Sequence, residues 1–289
     1  MIEPVLLGRD LVESITSARP GVGSVTMWRL GQAGVVVKFP TATVLIDPYL
    51  SNYCEAVLPY PFDHRRLTRA PLDASEIDFI DVVLITHNHP DHLDSPTMRT
   101  LSRQNRAAIV VAPASCVAQL IDLGWANDAV HTASENAPVY AGAVRIVGFP
   151  VAHEKFLEDP RGSDVYQGFV VSNGDISVVH VGDAIDTDQT RKSLRRHCVD
   201  VLFVPINGRS DERAALGFAG NMSAAEAAAF AVAVGAEITV PMHYDMFAQN
   251  VDPSALESFE RVADQLGAAR ITLQVGEKAK FSSGKEMTR

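Results

Sequence analysis

Residues 81–94 read DVVLITHNHPDHLD, and the rest of the chain is interpreted outward from this stretch. Its first six residues form a β-branched, apolar run of the kind that makes a buried strand. The histidines begin where that strand should end. Ser95 then reads as an N-cap with Pro96 at the first helical position, so a helix is expected over 97–103. His87, His89, Asp91 and His92 therefore lie on a loop between a strand end and a helix start. A tight turn would point His87 and His89 at one metal ion and Asp91 and His92 at a neighbour. Imidazole nitrogen and carboxylate oxygen suit zinc, iron or manganese. A lone histidine would be better explained as a solvated loop residue, but three with a carboxylate in six positions are not.

The HxHxDH pattern after an apolar strand resembles that of the metallo-β-lactamase-fold hydrolases. The resemblance implies a four-layer αββα sandwich, two mixed β-sheets flanked by helices, with a dinuclear site between the sheets. It also implies further ligands downstream, and three candidates follow in order: PVAH ending at His153, VGD ending at Asp183 and VPMH ending at His243. Each closes an apolar run. By that likeness His87, His89 and His153 hold one divalent ion, Asp91, His92 and His243 the other, and Asp183 bridges both. Asp47, in LIDP after another apolar run, matches a family aspartate that supports the ligand loop; turn initiation before Pro48 explains it equally well. His180 reads as a packed histidine or one that supports the site. His64, His131 and His197 read as surface residues.

Composition narrows the partners. The chain of 289 residues carries a formal net charge of −10 without a lysine and arginine stripe, which disfavours nucleic acid as a partner. Cys54, Cys116 and Cys198 are odd in number and widely separated, so they read as buried fillers rather than disulfides or a zinc site. No apolar stretch approaches the roughly 18 residues that span a bilayer, and acidic and basic residues interrupt the first fifteen. The expectation is a cytoplasmic enzyme acting on a small molecule, away from membranes, with homo-oligomerisation left open.

Strands are expected over 24–30, 33–39 and 43–47 as an antiparallel meander, then over 109–112, 143–149, 166–172, 176–181, 199–204 and 271–275. Helices are expected over 114–123, closed by Gly124, from Ser223 to Val234 with a capping box to Glu226, and over 253–266, closed by Gly267. The whole chain, 1–289, is expected to be one domain. It carries an amino-terminal extension, about 1–22, and a long insertion loop, about 49–74, of the kind that covers an active site.

Two divalent ions sharing Asp183 would supply a hydroxide nucleophile at neutral pH, with Asp91 and Asp183 as the catalytic carboxylates. Within the superfamily the chain looks most like the ascorbate-6-phosphate lactonase (UlaG-like) group, through MWRLGQAG at 27–34, NMSAAE at 221–226 and PMHYD at 241–245. That likeness implies opening of a sugar-derived lactone, with or without a phosphate, using zinc or manganese. His153 in its PVAH setting follows the general superfamily pattern instead. Relatives that cleave phosphoethanolamine lipids share HNHxDHLD and imply a phosphodiesterase as the alternative. Others with this fold are di-iron oxidoreductases, which typically carry glutamate at the second histidine, so His89 points to hydrolysis. A metal-binding protein without turnover is the remaining class. Arg209 and Arg213 either bind a substrate anion or pair with Asp211 and Glu212 on a solvated loop. Tyr244 either donates to a developing oxyanion or simply packs.

Overall fold

The structure, a computed structural model, describes residues 1–283 and 285–288. The first apolar runs form β1 (Ser24–Gly31), β2 (Gly34–Lys38) and β3 (Thr43–Ile46), antiparallel neighbours as the short glycine and proline turns between them require. β4 (Val82–Leu84), β5 (Ile109–Val111) and β6 (Val130–His131) then add in parallel. Parallel neighbours need long crossovers. These are supplied by α2 (Tyr53–Val57), α3 (Ser95–Gln104) and α4 (Val117–Asp122), the first helix of the chain being α1 (Gly8–Ser17).

A second sheet begins with β7 (Val139–Ala141), β8 (Val144–Pro150), β9 (Gln167–Ser172) and β10 (Ser177–His180), again antiparallel. After α5 (Asp188–Leu194) the chain lays β11 (Val201–Pro205) parallel to β10. It passes through α6 (Asp211–Ala215) and α7 (Ala224–Val234) to β12 (Ile238–Met242). Following α8 (Ala255–Leu266), β13 (Lys278–Ser282) and β14 (Lys285–Thr288) return to the first sheet beside β1. Both sheets are thus mixed.

Strand alternation assigns the layers. From the first sheet Met27, Val37, Ile46 and Leu84 meet Ile146, Val170, Val179 and Phe203 of the second in one continuous core. The alternate residues Trp28, Val36, Leu45 and Val83 face outward, where Leu11 and Ile15 of α1 and Met98 and Leu101 of α3 cover them. α7 packs on β11 and on α8, bringing Phe230 and Phe259 into the main core. The result is the expected helix–sheet–sheet–helix stack.

Several local expectations shift. Asp94, not Ser95, occupies the N-cap of α3, with Pro96 in its first turn. The stretch 271–275 buries Leu273 and Val275 but forms no strand. Only Arg270, just before it, bridges to Thr239, and the ladder resumes after the left-handed Gly276. The helix expected over 114–123 starts as a 3-10 turn, Ala114–Cys116. Cys54 and Cys116 are buried, whereas Cys198 is exposed. Among the described residues no helix is long and apolar enough to cross a membrane.

Candidate metal centre

The candidate ligands sit just beyond strand ends, and the two-sheet stack gathers those ends. His87 follows β4, His153 follows β8, Asp183 follows β10 and His243 follows β12. The backbone around these positions is contorted. Asp47, Gln32 and His243 adopt φ of +43°, +51° and +63°, a left-handed conformation that non-glycine residues seldom adopt and that clusters at functional sites. Gly182 adopts φ +64°, and a Cβ on it would lie 2.8 Å from the side chain of Thr86. Glycine there lets the Asp183 loop rest on the His87 loop.

The structure brings all seven candidates together. Donor atoms of His87, His89 and His153 lie within 4.8 Å of one another, as do those of Asp91, His92 and His243, and those of His87, His92 and Asp183. Asp183 lies between the first two groups. Its Oδ1 is 3.3 Å from His92 Nε2 and 3.2 Å from His243 Nε2, while Oδ2 is 3.7 Å from His153 Nε2. His87 Nε2, His92 Nε2 and Asp183 Oδ1 are buried and have no hydrogen-bond partner among the described residues. Buried polar atoms are normally satisfied, and lone pairs converging at these spacings fit two divalent cations, with nitrogen and oxygen donors and no thiolate.

Neighbouring groups hold the candidate ligands. Asp47 is fully buried; Oδ2 lies 2.7 Å from His92 Nδ1 and also accepts from Thr86 Oγ1 at 2.6 Å, while Oδ1 accepts from the Thr86 amide at 2.8 Å. Thr86 Oγ1 is in turn 3.0 Å from His87 Nδ1. Asp47 thus holds the loop that carries His87 and His92. His180, equally buried, donates from Nε2 to the Ala33 carbonyl at 2.8 Å and accepts at Nδ1 from the Gly182 amide at 3.2 Å. It holds the turn that delivers Asp183. Gln32 Nε2 donates to Asp91 Oδ2 at 2.7 Å and sits 2.9 Å from His243 Nε2. Gln32 was not expected from the sequence, although it lies inside the GQAG turn between β1 and β2. Asp94 was missed as well: it is buried and accepts from the Leu50 and Ser51 amides, Ser51 Oγ and Thr97 Oγ1, tying the 49–74 segment to the start of α3.

Electrostatics divide the histidines into two classes. Burial pushes His87, His89 and His153 down, His89 to about 4, and nearby imidazoles add to this. For His92 and His243 burial acts in the same direction, but the Asp183 and Asp91 carboxylates outweigh it and hold both up, His243 at about 9. Burial alone would raise Asp91 and Asp183; the facing imidazoles win and keep both carboxylates well below the usual range. The donor set thus combines three imidazoles whose charged form burial disfavours with two imidazoles and two carboxylates that hold one another charged, so a cation binding to the second group displaces protons.

A cleft of about 140 Å³ opens over His89, Asp91, His153 and Asp183. Leu58, Phe62 and His64 from the 49–74 segment form one part of its wall, and Gly217 to Ala219 another. His64 is therefore not the expected surface residue: it is 7% exposed and packed among Phe62, Phe218 and Phe247. His131 and His197 are partly buried and outside the cleft. Of the two readings of Arg209 and Arg213, anion binding or pairing with Asp211 and Glu212, neither describes what Arg209 does. Arg209 is engaged by Glu226 at 2.5 and 2.8 Å, residues 211–215 form α6, and neither arginine lines the cleft. Tyr244 packs under the Arg29 guanidinium, 4.8 Å from the ring centroid, and is absent from the cleft wall.

A family model described as "Beta-lactamase superfamily domain" matches residues 42–244. A UPF0173 metal-dependent hydrolase of Hyperthermus butylicus is 27% identical over 258 residues, 87% of this chain and 97% of that protein. One from Methanoculleus marisnigri is 31% identical over 206 residues, 67% of this chain and 78% of that protein. Among solved structures, Igni18, described as a novel metallo hydrolase from Ignicoccus hospitalis, superposes with a TM-score of 0.66 at 19% identity. That superposition covers 90% of this chain and 99% of Igni18, a likeness of fold.

Proposed function

Because this chain belongs to the beta-lactamase superfamily domain family and is a metal-dependent hydrolase of the UPF0173 family, we propose that it opens a sugar-derived lactone at a two-metal centre. In this proposal His87, His89 and His153 hold one ion, Asp91, His92 and His243 the other, and Asp183 joins them. Zinc or manganese suits the donors. The observation that carries the proposal is Asp183, whose two oxygens face different groups of imidazoles, Oδ1 toward His92 and His243 and Oδ2 toward His153.

When bound, two such ions lower the pKa of water from about 15.7 towards about 7 and provide Lewis acidity for a substrate oxygen. The chain's own residues do the rest. Asp47 and Thr86 keep the His92 and His87 rings oriented through their second nitrogens. Asp91 turns Oδ2 to Gln32, His92 and His243, which leaves Oδ1 to take the proton of the attacking water. Phe62 and Phe218, packed edge to face at 4.9 Å, keep bulk water from that part of the cleft.

A lactone is favoured over a phosphodiester, and an unphosphorylated one over its phosphate, because among the described residues the cleft wall contains neither lysine nor arginine. A phosphate away from the reacting carbon would find no cationic side chain there. The test is turnover by purified, zinc- or manganese-loaded protein of sugar lactones with and without phosphate, alongside phosphodiesters. Lactone opening that disappears in His89→Ala is expected. Cleavage of a phosphodiester with no lactone opened would overturn the proposal.

A further inference from the structure

Resting on the reading of the cleft as a hydrolytic centre for uncharged esters, we infer that His64 is a substrate-binding residue that presents Nε2–H to an oxygen of the ester. The position is unusual for a histidine that holds no metal. It belongs to none of the three donor groups, yet it lines the same cleft as His89, Asp91, His153 and Asp183. It is delivered by the 49–74 segment and stacked on Phe218, with ring centroids 5.5 Å apart and planes at 23°, while Phe247 closes at 4.7 Å.

This aromatic box determines how the ring is used. Nδ1 is buried and has no hydrogen-bond partner. A proton there would be an N–H sealed away from any acceptor, so the stable neutral tautomer carries its proton on Nε2. Burial also disfavours the imidazolium, and the ring therefore enters the cleft as a neutral donor. A neutral donor beside Leu58, Phe62 and Phe218, in a wall that among the described residues has no lysine or arginine, matches an uncharged acceptor with an apolar flank. It also exists before the substrate arrives, because π-stacking and tight packing hold the ring without help from a ligand.

Two measurements test this. In a long-range proton–nitrogen correlation spectrum of histidine-labelled, metal-loaded protein at neutral pH, the His64 signals, assigned by their loss in His64→Gln, should show the neutral Nε2–H tautomer. The Nδ1–H tautomer or an imidazolium would overturn the inference. In ester turnover, His64→Phe, which keeps the packing but removes the donor, should lose about 10- to 100-fold in kcat/KM, and His64→Gln, which restores an N–H, should recover most of it. Metal content should be unchanged in both. Full activity in His64→Phe, or equal loss in both variants at full metal content, would overturn it. If wild-type protein turns over no ester at all, the proposed function falls, and the tautomer alone then decides whether His64 is a neutral donor.

Discussion

Asp47 Oδ2 lies 2.7 Å from His92 Nδ1, both side chains being fully buried, so the opposite nitrogen of that ring is aimed at Asp183. The carboxylate fixes which nitrogen carries the proton and hence which lone pair is offered to a cation. Asp47→Asn should therefore weaken binding of the metal that His92 would hold by about 10- to 100-fold. Competition with a chromophoric chelator measures it. Unchanged affinity would show that His92 is oriented by packing alone.

Gly182→Ala should destabilise the protein by about 1–3 kcal/mol, because its φ is +64° and the new methyl would meet Thr86 at 2.8 Å. Thr86 also donates twice to Asp47, so the displacement should reach the His92 ring. Denaturant unfolding and metal content measured on the same sample should fall together. Lost stability with intact metal binding would separate the turn from the site.

Arg29 is 2% exposed and makes a two-pronged contact with Asp245, at 2.7 and 2.6 Å, two residues beyond His243. Removing one member of such a pair leaves a poorly solvated charge, and Arg29→Met should cost about 3–5 kcal/mol. A double variant that also carries Asp245→Leu should regain much of that loss. Equilibrium unfolding of the wild type, two single variants and double variant gives the coupling.

Metal binding should tighten as pH rises from 6.5 to about 9. In the metal-free protein His243 is held up to about 9 and His92 is also raised, burial being outweighed by Asp183 and Asp91, so a cation must displace their protons. Calorimetric titration in buffers of different ionisation enthalpy should detect proton release that shrinks toward pH 9. The stability of the metal-free protein follows the same groups with opposite sign. The contribution of His243 is complete below 6.5 and lost as pH rises through about 9. His89, lowered to about 4, binds fewer protons folded than unfolded, so its contribution falls as pH drops from 6.5 to 4. Metal-free stability limited by these groups should thus peak near pH 6.5, which a pH series of thermal melts would check.

Much of this protein was determined locally. The run 81–94 contains both a period-breaking apolar strand and the donors that follow it, and both properties belong to neighbouring residues. The same applies to PVAH, VGD and VPMH, each an apolar strand followed by one donor, and to the capping box of Ser223 and Glu226, which forms as read. The four-layer fold class was legible only through the likeness carried by HxHxDH, since near-continuous Val, Ile and Leu runs show strands covered on both faces without saying how the layers are arranged. What the sequence did not contain were relationships between segments far apart along the chain. Gln32 reaches Asp91 across 59 positions and His243 across 211, and nothing in its local surroundings marks it as different from any turn glutamine. His64 looked solvent-exposed because its neighbours, Asp63 and Arg65, are polar; only the packing of Phe218 and Phe247 against it, from segments more than 150 residues away, removes it from water. Arg209 and Tyr244 left the cleft for the same reason, one captured by Glu226 and the other by Arg29. Donor chemistry and strand pattern are local and were set by the sequence alone. Which side chains face the cleft, and which partners orient them, depends on long-range packing and was decided only by the tertiary structure.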